Sequence, residues 1–112
     1  MQFFKTIFLE EADVFIASLD IKTRQKIFYN VHIAEQTNDP ELFKKVTDDI
    51  WEFRIMFNKL TIRLLAFWDK TNKMQTLVLA TNGFIKKTQK TPVNEIEHAK
   101  RIMERYFKEK YN

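Results

Sequence analysis

Hydrophobic positions along the chain change period several times, and each change marks an element. Phe3 to Leu9 reads as a first strand. Glu10 to Leu19 reads as a short helix with Ala12, Phe15, Ile16 and Leu19 on one side. Ile21 to Gln36 reads as a second helix, with Ile27, Phe28, Val31 and Ala34 at helical spacing and Asp20 as its N-cap. Thr37-Asn38-Asp39-Pro40 ends that helix. Glu41 to Val46 reads as a short connector of helical character. Three strands follow, at roughly 49–57, 60–69 and 74–85, rich in aromatic and β-branched residues. A last helix begins near Thr91-Pro92, with Thr91 as cap and Pro92 as first helical residue. Its buried stripe is Ile96, Ala99, Met103 and Tyr106 or Phe107.

The first two of the three strands define a hairpin. Asn58-Lys59 is a two-residue turn, because Asn tolerates positive φ. That turn pairs Phe57 with Leu60, Ile55 with Ile62, and therefore Arg54 with Arg63. Trp51, Phe53, Ile55 and Phe57 then share one face with Leu60, Ile62, Leu64, Ala66 and Trp68, and Leu77 and Leu79 are expected to continue it. This apolar face needs a cover, most simply the two N-terminal helices. The other face is mixed: Glu52, Arg54, Met56, Thr61, Arg63, Phe67, Ala80 and Asn82. The expected fold class is α+β: a two-layer antiparallel sheet, one N-terminal strand plus three consecutive strands, packed on two N-terminal helices, with a C-terminal helix. At 112 residues it is a single domain, 1–112.

Composition narrows the function classes. There are no cysteines, which excludes a disulfide framework, a thiolate metal site and a cysteine nucleophile. No run is long enough to span a membrane, and the N-terminus lacks a signal-peptide pattern, so a cytoplasmic location is expected. The formal net charge is +4. It resides in residues 83–112, where Lys86, Lys87, Lys90, Lys100, Arg101, Arg105, Lys108 and Lys110 stand against Glu95, Glu97, Glu104 and Glu109. A local cationic footprint bears on nucleic-acid binding more directly than the overall charge does.

Two arginines directly opposite each other destabilise a sheet unless something negative sits on them. Glu52, two residues from Arg54 and on the same face, serves in the free protein; a phosphate serves in the working one. Arginine suits this role because its planar fork holds phosphate in bidentate fashion and stays charged. By alternation Lys86 falls on the side of Arg63. Lys86, Lys87 and Lys90 precede a helix N-terminus and form a cationic rim to that face. A lysine among other cations can lose its proton more easily and act as a base. The bland alternatives are a strand arginine paired with an acid and a solvated lysine loop. His32 and His98 have no metal-spaced neighbour, and no metal motif is present. Tyr106 is most simply core, and Tyr111 lies near the chain end.

These residues resemble a known family. Strand, two helices, three strands and a final helix look like the RelE/ParE toxin superfamily. Ile50-Trp51-Glu52-Phe53-Arg54, Ile62-Arg63-Leu64, the run Asn82-Gly83-Phe84-Ile85-Lys86-Lys87-Thr88-Gln89-Lys90-Thr91-Pro92, and Glu95-Ile96 with Ala99 look like its phage-derived, HigB-like branch. The resemblance implies the toxin of a type II toxin–antitoxin system, an mRNA interferase that cleaves ribosome-bound mRNA without a metal or cofactor and leaves a 2′,3′-cyclic phosphate. By the same analogy Arg54, Arg63, Lys86 and Lys87 are catalytic, and Thr88, Lys90 and Lys59 hold RNA. The implied partners are a helix-turn-helix antitoxin, in a toxin–antitoxin hetero-oligomer, and mRNA on the ribosome. No His or Tyr acid–base residue is clearly placed on the mixed face, unlike in related toxins. The same fold carries ParE-like gyrase inhibitors without nuclease chemistry, and an inactive nucleic-acid-binding remnant is a further alternative.

Overall fold

A computed structural model describes residues 2–111. In chain order the elements are β1 (Lys5–Phe8), α1 (Glu10–Ala17), α2 (Ile21–Thr37), β2 (Phe43–Lys45), β3 (Trp51–Phe57), β4 (Leu60–Asp69), β5 (Leu77–Ile85) and α3 (Val93–Lys110). The fold class is α+β, as expected, with a five-stranded sheet in the order β1-β5-β4-β3-β2.

The β3–β4 hairpin has the register read from its turn: Phe57 faces Leu60, Ile55 faces Ile62, and Arg54 faces Arg63. Asn58 and Lys59 both take positive φ, 52° and 66°, the backbone a tight primed turn requires. Helix α2 starts where Asp20 accepts from the Thr23 N–H at 2.9 Å. It ends where Asn38 turns left-handed at φ 53°.

Three features depart from expectation. The sheet is mixed, because β1 runs parallel to β5, with Lys5 beside Leu77 and Phe8 beside Ala80. The segment expected as a helical connector contains a strand: β2 pairs antiparallel with β3, Phe43 against Phe53 and Lys44 against Glu52. Burial of the Phe43 ring, stacked on Phe53 at 4.3 Å, outweighs the weak helical preference of this short stretch. Third, Leu77 and Leu79 lie on the face opposite to Trp51 and Phe53. The reason is a bulge in β5. Leu64 pairs with Gly83 but Ala66 pairs with Ala80, so β5 spends three residues where β4 spends two and its alternation inverts. Ala80 accordingly leaves the mixed face and joins that of Ala66.

Both faces of the sheet are therefore covered. Phe53, Ile55, Ile62, Leu64, Ala66 and Val78 meet Ile16 of α1 and Ile27, Val31 and Ala34 of α2. Leu65, Phe67, Leu79 and Phe84 meet Ala99, Ile96 and Met103 of α3. Beyond the end of β1, α1 takes over the flank of β5: the Leu9 N–H donates to the Ala80 carbonyl at 3.0 Å. Gly83 lets the Phe15 ring approach so closely that a Cβ there would lie 2.3 Å from Phe15 Cδ2. Helix α3 packs on β4 and β5, and Arg54 and Arg63 lie outside that apolar cluster.

Candidate anion-binding site

Strands β3 and β4 place Arg54 and Arg63 side by side, with Glu52 next to both. Glu52 Oε2 lies 3.4 Å from Arg63 Nε and 3.7 Å from Arg54 Nε. The Arg63 side chain is only 6% exposed and that of Arg54 31%. Both Nε groups are buried without a hydrogen-bond partner among the described residues. Arg63 spends one terminal nitrogen on the Ile62 carbonyl at 3.2 Å. Burial pushes the Arg63 guanidinium below its ordinary value, Glu52 pulls it back up, and Arg54 pushes it down again. Two guanidinium groups thus share a single carboxylate, and buried donors remain unfilled.

The carboxylate is itself held. Thr91, expected to cap α3, instead donates its hydroxyl to Glu52 Oε1 at 2.8 Å. Pro92 occupies the cap position, without a side-chain hydrogen bond. The fold puts the Glu52 carboxyl within hydrogen-bond reach of the Thr91 hydroxyl, which therefore bonds to it rather than to the start of α3. One contact therefore ties the segment ahead of α3 to the arginine pair.

Lys86 follows β5 and is anchored by its N–H to the Thr61 carbonyl at 2.7 Å. Arg63 faces Phe84, two residues earlier on β5, so Lys86 falls on the arginine side, as alternation predicted. Burial and the positive charge of Arg63 push the Lys86 ammonium below its ordinary value; Glu52 opposes this and Arg54 adds to it. A cleft of about 520 Å³ is lined by Arg54, Thr61, Arg63, Lys86, Lys87, Thr88 and Gln89. It brings together Arg54, Arg63, Lys86, Lys87 and Thr88, five of the residues expected at the site. Thr88 also donates to the Lys90 carbonyl at 2.9 Å, which bends the loop. A second cleft, about 450 Å³, contains Lys90. Lys59 stands apart at the hairpin tip and lines neither cleft.

His32, His98, Tyr106 and Tyr111 have structural partners. His98 bridges α3 to α1 through Glu11 and receives Arg101 at 3.4 Å. His32 lies 3.9 Å from Glu35 on its own helix. Tyr106 packs on Phe67, ring centroids 5.3 Å apart, and donates to Asp69 Oδ2 at 2.6 Å. Tyr111 stacks on Phe107.

Sequence reasoning missed three residues: Thr91 as a partner of Glu52, and Lys44 and Lys45 on β2. The missed signal for Lys44 was Phe43. A buried aromatic there makes a strand, and a strand beside β3 sets Lys44 against Glu52 on the cationic face.

The arrangement can hold an anion. Four cations converge on the first cleft, Arg63 buried, Arg54 and Lys86 half-buried and Lys87 exposed, with no carboxylate among the described residues that line it. Fold and site define a small α+β protein with a cation-lined cleft on one face of its sheet. A family model described as "Phage derived protein Gp49-like (DUF891)" matches residues 14–104. The chain belongs to this family, which is a RelE/toxin-like family. A comparison with curated proteins finds no match. Among the described residues no helix is long and apolar enough to cross a membrane.

Proposed function

We propose that this chain is the toxin of a HigB-like type II toxin–antitoxin system and acts in the cytoplasm as a ribosome-dependent mRNA endoribonuclease. The observation that carries the reading is the Arg54–Arg63 pair, with Arg63 buried and Arg54 half-buried, sharing one cleft with the loop that bears Lys86 and Lys87. Membership of a RelE/toxin-like family supports it.

The chemistry is a transesterification within RNA. The 2′-oxygen forms a bond to the adjacent phosphorus, and the bond from phosphorus to the 5′-oxygen breaks. Lys86, in its neutral amine form, takes the 2′-hydroxyl proton. Lys87, as ammonium, gives a proton to the departing 5′-oxygen. Arg54 and Arg63 bind the non-bridging oxygens, where negative charge accumulates in the transition state. Water is not consumed, and the products are a 2′,3′-cyclic phosphate and a 5′-hydroxyl. Thr88 and Lys90 hold the flanking backbone, and a helix-turn-helix antitoxin masks the site.

Pulse labelling after brief induction in a bacterium tests the class of target. Methionine incorporation should collapse while thymidine incorporation continues. The reverse order would point to a gyrase inhibitor, and unchanged incorporation of both to an inactive remnant.

A further inference from the structure

Lys44 sits at the outer edge of the sheet, opposite Glu52 in the β2–β3 ladder and therefore on the face of Arg54 and Arg63. With Lys45, Arg54, Lys86 and Lys90 it lines the second cleft. Five cations stand there against one carboxylate, Glu52, and that carboxylate already serves Arg54, Arg63 and Thr91. The two clefts share Arg54, Lys86 and Gln89. They are neighbouring parts of one basic surface running from the β4–β5 end of the sheet, across the arginine pair, to its free β2 edge. An enzyme that recognised one isolated phosphate would need only the first cleft.

We infer that the second cleft is a phosphate subsite for an adjacent nucleotide, so that a single RNA strand crosses the sheet from the Lys86–Lys87 loop toward β2, with Lys44 and Lys90 contacting its backbone. A single strand is favoured over a duplex because a strand can bend over Gln89, which lines both clefts. The subsite extends the nuclease reading above to a substrate of at least two successive phosphates. It stands on charge and placement, which are testable without cleavage.

The test uses the full chain and a fluorescent single-stranded hexanucleotide with 2′-O-methyl groups, which binds but cannot be cut. Affinity is measured over a range of salt concentrations for the wild type, Lys44→Gln/Lys90→Gln, and the exposed α2 control Lys22→Gln. Each phosphate contact contributes about 0.7 to the salt slope of a single strand. The double variant should bind on the order of tenfold more weakly at low salt and lose roughly 0.7 to 1.4 of slope, and the control should match the wild type. A double variant indistinguishable from the control would overturn the subsite. So would failure of the wild type to bind the hexamer, or tighter binding of a duplex DNA or an acidic peptide of equal charge. Circular dichroism of the variants separates lost contact from lost folding. If the strand binds with the expected slopes but protein synthesis continues after induction, the subsite stands and the nuclease reading falls. Translation arrest with an unchanged slope would overturn the subsite and leave the nuclease reading in place.

Discussion

Arg54 and Arg63 occupy directly opposed positions in the β3–β4 ladder, and both guanidinium groups turn an Nε toward the same Glu52 oxygen. One negative charge thus holds two positive ones in a poorly hydrated place. Neutralising it without changing its shape should expose the conflict. Glu52→Gln keeps an acceptor for Thr91 but leaves the arginines unbalanced, at a cost of about 3 kcal/mol. Thermal denaturation should show a lowered Tm, and added pyrophosphate should raise it by more in the variant than in the wild type. Equal shifts in the two proteins would mean that the pair does not receive the anion.

Lys86 gives a pH dependence with a definite sign. Its folded-state value lies below the ordinary lysine value of 10.5. At neutral pH the charged form carries the penalty of burial and of Arg63. As pH rises through the lowered value the folded protein releases its proton before the unfolded chain does, so stability rises until about 10.5. Single-turnover RNA cleavage on ribosomes should rise as pH approaches that lowered value and level off above it, because the amine is the base. Lys86→Gln should flatten both profiles and be at least as stable as the wild type near pH 7.

Asp69 anchors the far end of α3 and gives a dependence of the same sign at the acid end of the range. It is fully buried. Burial opposes its ionisation, yet hydrogen bonds from Lys110, Thr71 and Tyr106 hold it well below the usual carboxylate range. That stability is present above the unfolded value of 3.8 and is lost as pH falls below it toward the folded value. Urea denaturation between pH 7 and 2 should show the loss, and Asp69→Asn should be less stable at pH 7 and nearly flat at the acid end. Tyr106→Phe removes one charge-assisted hydrogen bond and should cost about 1.5–3 kcal/mol.

Gly83 is where α1 meets β5. A Cβ would stand 2.3 Å from Phe15 Cδ2 and 2.8 Å from Leu64 Cδ2. Gly83→Ala should therefore destabilise by about 1–3 kcal/mol through overpacking, read as a lowered urea midpoint with an unchanged slope. The double variant with Phe15→Leu should recover part of the loss.

The parts legible in the sequence were those set by local chemistry. Asn58-Lys59 determined the turn, the turn determined the register, and the register brought Arg54 to Arg63. Asp20 and the helical spacing of Ile27, Val31 and Ala34 located α2. What escaped was decided by distant partners. Three residues of β2 carry too little pattern to be read as a strand; the packing of Phe43 on Phe53, Trp51 and Phe4 fixes them there. The β5 bulge inverts an alternation that is visible on both of its sides, so simple alternation puts Leu77 and Leu79 on the wrong face. Thr91 looks like a cap beside Pro92, and only the fold brings Glu52 within reach of its hydroxyl. At the site, alternation alone put the arginines and the lysine loop on a common face, whereas Lys44 joins them only through β2.

The most direct test is transcriptome-wide mapping of new 5′-hydroxyl RNA ends after brief induction of the wild type, Arg54→Ala and Lys86→Ala. Arg54 and Lys86 lie outside the apolar clusters, so the variants should fold. Cuts within translated regions that follow the reading frame are expected in the wild type and should vanish in both variants. Growth arrest without new ends, or the same ends in well-folded variants, would contradict it.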